Sequence, residues 1–302
     1  MTSPGVPFAA SPELLESWRL RTYDLDASCR RARVALDACA DDPHGLIATW
    51  ARFQLATGLV PRGPTAALVA EVADVRAAFE ALRDEAGVVL ADLARAVLRS
   101  MQGHGAEAWQ ALQEEVAPFL DALHPEFQFF GAIYITVSAL GAKDLLAGLR
   151  YAYRALDLAR QLDDPGPLAL ALFNLGYLHL NYGSFHEAIE RFGEVMALAR
   201  QHDLANRRRT APPSLIVAHV ALGDFDQAEG LSERWMAEFG TFPLDNHVLY
   251  GRVMAIYLAA RSPERWERAH AWLAELEADF AARERGEGLG MVKAYLLLVA
   301  WA

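Results

Sequence analysis

The sequence predicts an all-α protein, a solenoid of stacked antiparallel helix pairs. Two observations carry that expectation. Apolar residues follow helical spacing that is interrupted by short glycine-containing turns, and small residues recur about every 40 positions. Composition agrees with both. Hydrophobic residues make up 53% of the 302, enough to bury a long core and too many for a disordered chain. Alanine, leucine and arginine, all strong helix formers, recur throughout, while glycine and proline fall mostly between the periodic segments.

Taken in order, residues 1–11 have no periodicity and are expected as a flexible or loosely attached tail, with one solenoid over 12–302. The opening MTSPGVPFAASPE has neither a basic stretch nor a long apolar one, so it does not read as a signal peptide. The upstream units rest on spacing alone, through Ala27, Ala67 and Ala108, with Gly103-His104-Gly105 allowing Ala106 as an alternative. Ala147 follows a turn at Gly141-Ala142. The clearest unit is Ala171–Arg200, in which Leu172, Leu175, Gly176 and His179 lie on one helix, Gly183-Ser184-Phe185 turns the chain, and Ala188, Phe192 and Val195 lie on the next. Gly223, Phe225 and Ala228 repeat the same turn, and Ser262-Pro263, Trp266 and Ala269 repeat it again. The crossing alanines 147, 188, 228 and 269 are 41, 40 and 41 residues apart.

Leu175-Gly176, Gly183, Phe185, Ala188 and Phe192 resemble the tetratricopeptide repeat, in which Leu-Gly, Gly, an aromatic, Ala and Phe fall at those offsets. His179 replaces the usual tyrosine. The resemblance is well supported over 125–302 and rests mainly on spacing over 12–124. The period exceeds the usual ~34 residues, and armadillo or HEAT repeats run at ~40–47, so period alone would admit them. The glycine–x–aromatic–x–x–alanine turn tips the choice. The resemblance implies a right-handed superhelix in which the first helix of each pair lines a concave groove for a peptide or protein.

On that implication, the groove candidates are Phe173, Asn174, Tyr177 and Asn181, with Leu170 beside them, and Phe129, Thr136, Val217, Met254 and Leu258 from neighbouring units. Aromatic and aliphatic side chains supply contact area, and asparagine amides can bond an extended backbone in both directions. The basic residues with which the family clamps a terminal carboxylate are absent from these slots, which favours an apolar or amphipathic guest over an acidic one. The one dense basic run is Arg207-Arg208-Arg209. It is expected as a turn ahead of a helix containing Pro212 and Pro213, and as an anion-binding candidate because cations at a helix N-terminus oppose the macrodipole.

Other chemistry finds little support. A net charge of −11 opposes direct nucleic-acid binding. The two cysteines, Cys29 and Cys39, are too few for a secreted disulfide scaffold, so a cytoplasmic setting is expected, and no apolar run is long enough to span a membrane. His179 and His219 share a slot 40 residues apart but lack further ligands, so no metal site or cofactor is expected. Gly286-Glu287-Gly288-Leu289-Gly290 follows a helical flank rather than a strand, and no nucleophile, acid and base come together, so the reading is of a binding protein rather than an enzyme.

The last segment, Met291–Ala302, reads as the first helix of another pair with an apolar face all round. That predicts a chain continuing past Ala302 and a homodimer through this helix. Together with the resemblance to sensory regions of bacterial signalling proteins, it suggests an N-terminal regulatory region attached to an output domain such as a diguanylate cyclase or a transcriptional regulator. The alternative is a free-standing scaffold that bridges partners.

Overall fold

The computed structural model describes residues 6–60 and 64–239, together with three separate helical positions, Ala274, Glu277 and Ala278. Met254, Leu258, the unit around Trp266 and Ala269, and the C-terminal helix with its proposed dimer contact lie outside the described residues. Among the described residues twelve α-helices follow one another: α1 (Pro12–Leu20), α2 (Leu25–Asp37), α3 (Leu46–Leu59), α4 (Ala66–Leu82), α5 (Glu85–Met101), α6 (Gly105–Ala111), α7 (Pro125–Gly141), α8 (Leu145–Leu162), α9 (Pro165–Asn181), α10 (Phe185–Gln201), α11 (Ala205–Leu222) and α12 (Phe225–Phe239). There is no strand among the described residues. Consecutive helices pack together, and each odd-numbered helix through α9 also touches the next odd-numbered one. The result is a helical solenoid of two layers.

The layers differ in what they bury. Helix α9 buries eleven of its 17 residues, because it is covered by α8, by α10 and by its odd-numbered neighbours. Helix α10 buries only Ala188, Phe192, Val195 and Ala199, a single stripe at helical spacing. Gly176 permits this packing: a Cβ there would lie 3.0 Å from the Phe192 ring and 3.1 Å from the Arg191 Cβ.

The underlying unit is shorter than the 40-residue pair. Helix N-caps fall at Asp24, Gly45, Thr65, Asp84, His104, His124, Asp144, Asp164, Ser184 and Leu204, a step of 19–21 residues throughout. Asp24, Asp84, Asp144 and Asp164 each accept a backbone N–H in the first turn, at 2.8–3.1 Å. Left-handed residues precede many of these caps, at Arg83, Gly103, Lys143, Asp163, Gly183, Asp203 and Gly223. Ending one helix and capping the next therefore takes two adjacent residues.

Two upstream expectations are corrected. Ala108, Ala147, Ala188 and Ala228 are buried at crossings as expected, but Ala27 is only half-buried and Ala67 is exposed. Helix α1 has nine residues, so the first pair is out of step with the rest. Its crossing is polar: Ser17 Oγ lies 2.6 Å from Gln54 Oε1 and Ser28 Oγ donates to the Ser17 carbonyl at 2.8 Å. Nor are residues 6–11 a loose tail. Phe8 is fully buried, with its ring 5.3 Å from Trp18, 5.0 Å from Trp50 and 6.3 Å from Phe127. Helices α1, α3 and α7 converge here, and the space between their aromatic side chains is filled by Phe8.

The third pair ends irregularly. After α6 the chain makes a π turn over Leu112–Val116 and a 3-10 turn over Ala117–Ala122. Pro118 removes an N–H that a continuing α-helix would need.

Candidate partner-binding wall

Residues 18–23 of the N-terminal segment contact the odd-numbered helices α7, α9 and α11. Trp18 Nε1–H donates to Glu126 of α7 at 2.8 Å. Arg21 donates to the Tyr134 hydroxyl at 3.3 Å, with its guanidinium 4.1 Å from the Phe130 ring and 4.4 Å from that of Trp18. The Tyr23 hydroxyl donates to Asp164 Oδ1 at 2.7 Å, and the Asn206 N–H of α11 donates to the Tyr23 carbonyl at 2.9 Å. Burial, and then Asp164, push the Tyr23 pKa up to about 12. Gly166 lets this segment approach, since a Cβ there would sit 2.4 Å from Thr22 Oγ1 and 2.6 Å from the Tyr23 ring. A cleft of about 80 Å³ remains between Trp18, Thr22, Glu126, Phe130, Asp164 and Pro167.

The groove candidates fall on this wall at different depths. Thr136 is 2% exposed and donates its hydroxyl to the Ala132 carbonyl at 2.8 Å. Phe129 and Phe173 are buried, the latter packed on Phe192 at 5.6 Å and stacked on Tyr177 at 6.3 Å. Asn174 is buried and gives its Nδ2–H to Leu170, while Asn181 is exposed and gives its Nδ2–H to Tyr177. Tyr177 is half-buried beside them. Tyr134 and Tyr177 are half-buried and Asn181 is exposed, whereas Phe129, Phe173 and Thr136 on the same two helices are buried.

The arginine run is not a turn. Residues 207–209 lie in the first turn and a half of α11, which carries Pro212 and Pro213 inside it. The three side chains diverge. Arg208 pairs with Asp203 at 3.1 Å and with Glu238. The Arg209 carbonyl accepts the Trp235 indole N–H at 3.0 Å. Arg207 is 7% exposed, and its guanidinium lies 4.9 Å from the Phe173 ring centroid. No carboxylate among the described residues is within ion-pairing distance of it, and its Nε has no hydrogen-bond partner among them. Burial, with Arg209 adding to it, pushes its pKa down to about 10, so it stays charged near neutrality. A cation stacked on an aromatic ring gains ~0.5–2 kcal/mol, whereas burying an unpaired ion costs several kcal/mol. The helix N-terminus adds further repulsion. The ring does not offset the cost of burying this charge.

Histidine chemistry is modest. Burial lowers the His179 pKa, and His219 Nδ1 lies 3.5 Å from Asp224. No group of three or more metal-ligating side chains occurs among the described residues. No helix among them is long and apolar enough to cross a membrane. Trp18, Arg21 and Tyr23 were missed in the sequence, although the interleaving of aromatic and basic residues in Ser17-Trp18-Arg19-Leu20-Arg21-Thr22-Tyr23 was visible there.

Consecutive helix pairs with this turn and crossing geometry define the chain as a tetratricopeptide-type helical-repeat protein by fold. A family model described as anaphase-promoting complex subunit 5 matches residues 76–118 and 134–206. No curated protein sequence matches the chain. Among solved structures, a Rap protein complexed with competence and sporulation factor is 14% identical, with a TM-score of 0.62 over 95% of this chain and 85% of that one. A Signal Transduction ATPase with Numerous Domains from Pyrococcus horikoshii, which has a tetratricopeptide repeat sensor, is 16% identical, with a TM-score of 0.61 over 93% of this chain and 43% of that one. A tetratricopeptide repeat protein from Parabacteroides merdae is 13% identical, with a TM-score of 0.56 over 95% and 97%.

Proposed function

We propose that this chain binds a protein or peptide against the α7–α9–α11 wall, and that it serves as a regulatory or sensory region of a larger bacterial signalling protein, such as a diguanylate cyclase or a transcriptional regulator. The observation that carries the binding role is the wall itself: half-buried Tyr134 and Tyr177 and exposed Asn181 share α7 and α9 with the buried Phe129, Thr136 and Phe173. Aromatic anchors backed by fixed neighbours are where binding energy concentrates. The Rap neighbour was solved as a complex with a factor, and the ATPase neighbour carries repeats described as a sensor, which supports a receptor role for this architecture. The free-standing scaffold remains the second reading, and both readings act by binding in the cytoplasm rather than by catalysis.

The test is peptide display against the immobilised chain, followed by affinity measurement on the double variant Tyr177→Ala/Asn174→Ala. The variant should keep its helical signal and lose at least ~1–2 kcal/mol of affinity for a selected peptide. Unchanged affinity would place the site elsewhere on the chain.

A further inference from the structure

Arg207 is the most heavily buried charge on the wall, and the fold gives it an aromatic ring but no counter-ion among the described residues. Its neighbour Arg208, in the same helical turn, has two carboxylates. This contrast matters because both side chains leave the same first turn of α11, where the backbone already favours an anion. The fold therefore leaves one cation turned inward, over Phe173, and neutralises the one turned outward. The Tyr23–Asn206 backbone bond brings a second guanidinium, that of Arg21, to the same set of odd-numbered helices. Arg21 also lies on aromatic rings, and its Nη1 is buried without a hydrogen-bond partner.

We infer that Arg207 is an anion receptor that takes a carboxylate of the partner, an acidic side chain or a chain terminus, above the Phe173 ring. A planar guanidinium already fixed on an aromatic face is preorganised for bidentate contact with a carboxylate. This inference rests on the reading that the wall receives a partner. It also reverses the expectation of an apolar guest. That expectation weighed only the groove slots further along the odd-numbered helices, whereas this cation comes from the first turn of α11, in the run named separately as an anion-binding candidate. An acidic ligand also suits a wall on which two guanidiniums lie on aromatic rings, within a chain whose net charge of −11 would otherwise repel it.

The experiment is thermal unfolding of the full chain in sodium acetate, as the carboxylate probe, and in sodium phosphate, as the phosphate probe, each against sodium chloride at equal ionic strength. Acetate at several times its dissociation constant should raise the wild-type Tm by about 2–4 °C over chloride. Arg207→Gln should lose that shift, Arg208→Gln should keep it, and Arg207→Lys should keep only part of it. An acetate shift undiminished in Arg207→Gln, a wild-type chain indifferent to acetate, or a response to phosphate alone would each overturn the assignment. Arg207→Met, which also removes the charge, provides a second folded variant if the glutamine one is unstable, and it too should lose the shift. These melts need no partner. An intact, Arg207-dependent acetate shift beside a failed Tyr177/Asn174 experiment would sink the partner reading and leave the anion receptor standing.

Discussion

The indole N–H of Trp235 in α12 donates to the backbone carbonyl of Arg209 at 3.0 Å, and Arg209 stands four residues before Pro213 in α11. Proline has no N–H, so that carbonyl has no partner inside its own helix. Trp235 supplies the missing donor from the next helix, which is one reason α11 can run through Pro212 and Pro213. Replacing Trp235 with phenylalanine keeps most of the apolar volume and removes the donor. The expected cost is ~1–3 kcal/mol for an unsatisfied buried acceptor. In a double-mutant cycle by urea unfolding, Pro213→Ala should reduce that cost, because the helix regains its own donor. Additive effects would show that the contact and the proline are unrelated.

Crossing alanines and surface alanines should separate cleanly. Ala188 is fully buried where α10 meets α9, and Ala67 is exposed on α4. Ala188→Leu should destabilise by ~1–3 kcal/mol through overpacking, and Ala228→Leu by a similar amount. Ala67→Leu should change stability by less than ~0.5 kcal/mol. Equal losses at 67 and 188 in chemical denaturation would contradict the packing described.

Removing the buried cation should raise stability. Arg207→Met keeps a flexible, unbranched but shorter side chain and abolishes an unpaired charge, and replacing buried ionic groups with apolar ones is often neutral or stabilising by ~1–4 kcal/mol. The pH dependence points the same way. The folded-state pKa lies near 10, below the unfolded value, so the penalty is complete below about 10 and is relieved as pH rises from there toward the unfolded pKa. Arg207→Met should lack that alkaline gain when unfolding free energy is followed across the window.

Tyr23 shifts in the opposite sense. Its folded pKa of about 12 exceeds the model-peptide value of 10.0, so the fold keeps the phenol neutral while the unfolded chain ionises. Stability from this group is present below about 10 and is lost as pH rises through the interval to about 12. Tyr23→Phe should flatten that loss, and it should remove one late-titrating phenol from an ultraviolet tyrosinate titration. Loss of a phenol that titrates near 10 in place of one near 12 would mean that the Asp164 contact does not persist in solution.

What could be read from the sequence depended on where the signal was local. Ala147, Ala188 and Ala228 were legible because a turn motif and a crossing residue fall within a few positions of each other. Ala27 and Ala67 had spacing without a turn motif, and the nine-residue α1 put that spacing out of register. Phe8 could not be placed, since its burial follows from α1, α3 and α7 coming together across more than 100 residues of chain, as in its contact with Phe127. The arginines at 207–209 were assigned to a turn because two prolines so close behind usually exclude a helix. The donor that makes the helix tolerable, Trp235, lies on another element. The aspartate caps at 24, 84, 144 and 164 were visible all along, and they mark the 20-residue step more regularly than the alanines do.

The clasp formed by residues 18–23 changes how such a molecule should come apart. A stack whose units touch only their neighbours can fray from either end and melt in pieces. Here Tyr23 holds Asp164 and Asn206, so the first pair cannot leave without releasing the fifth and sixth. Distant units thereby share one fate. Heating should give a single sharp transition in place of a drawn-out one, and slow closure of a long chain loop should limit refolding. In Gly166→Ala, where the added Cβ lifts the Tyr23 ring from α9, the same array should revert to unravelling stepwise, with its beginning lost before its middle.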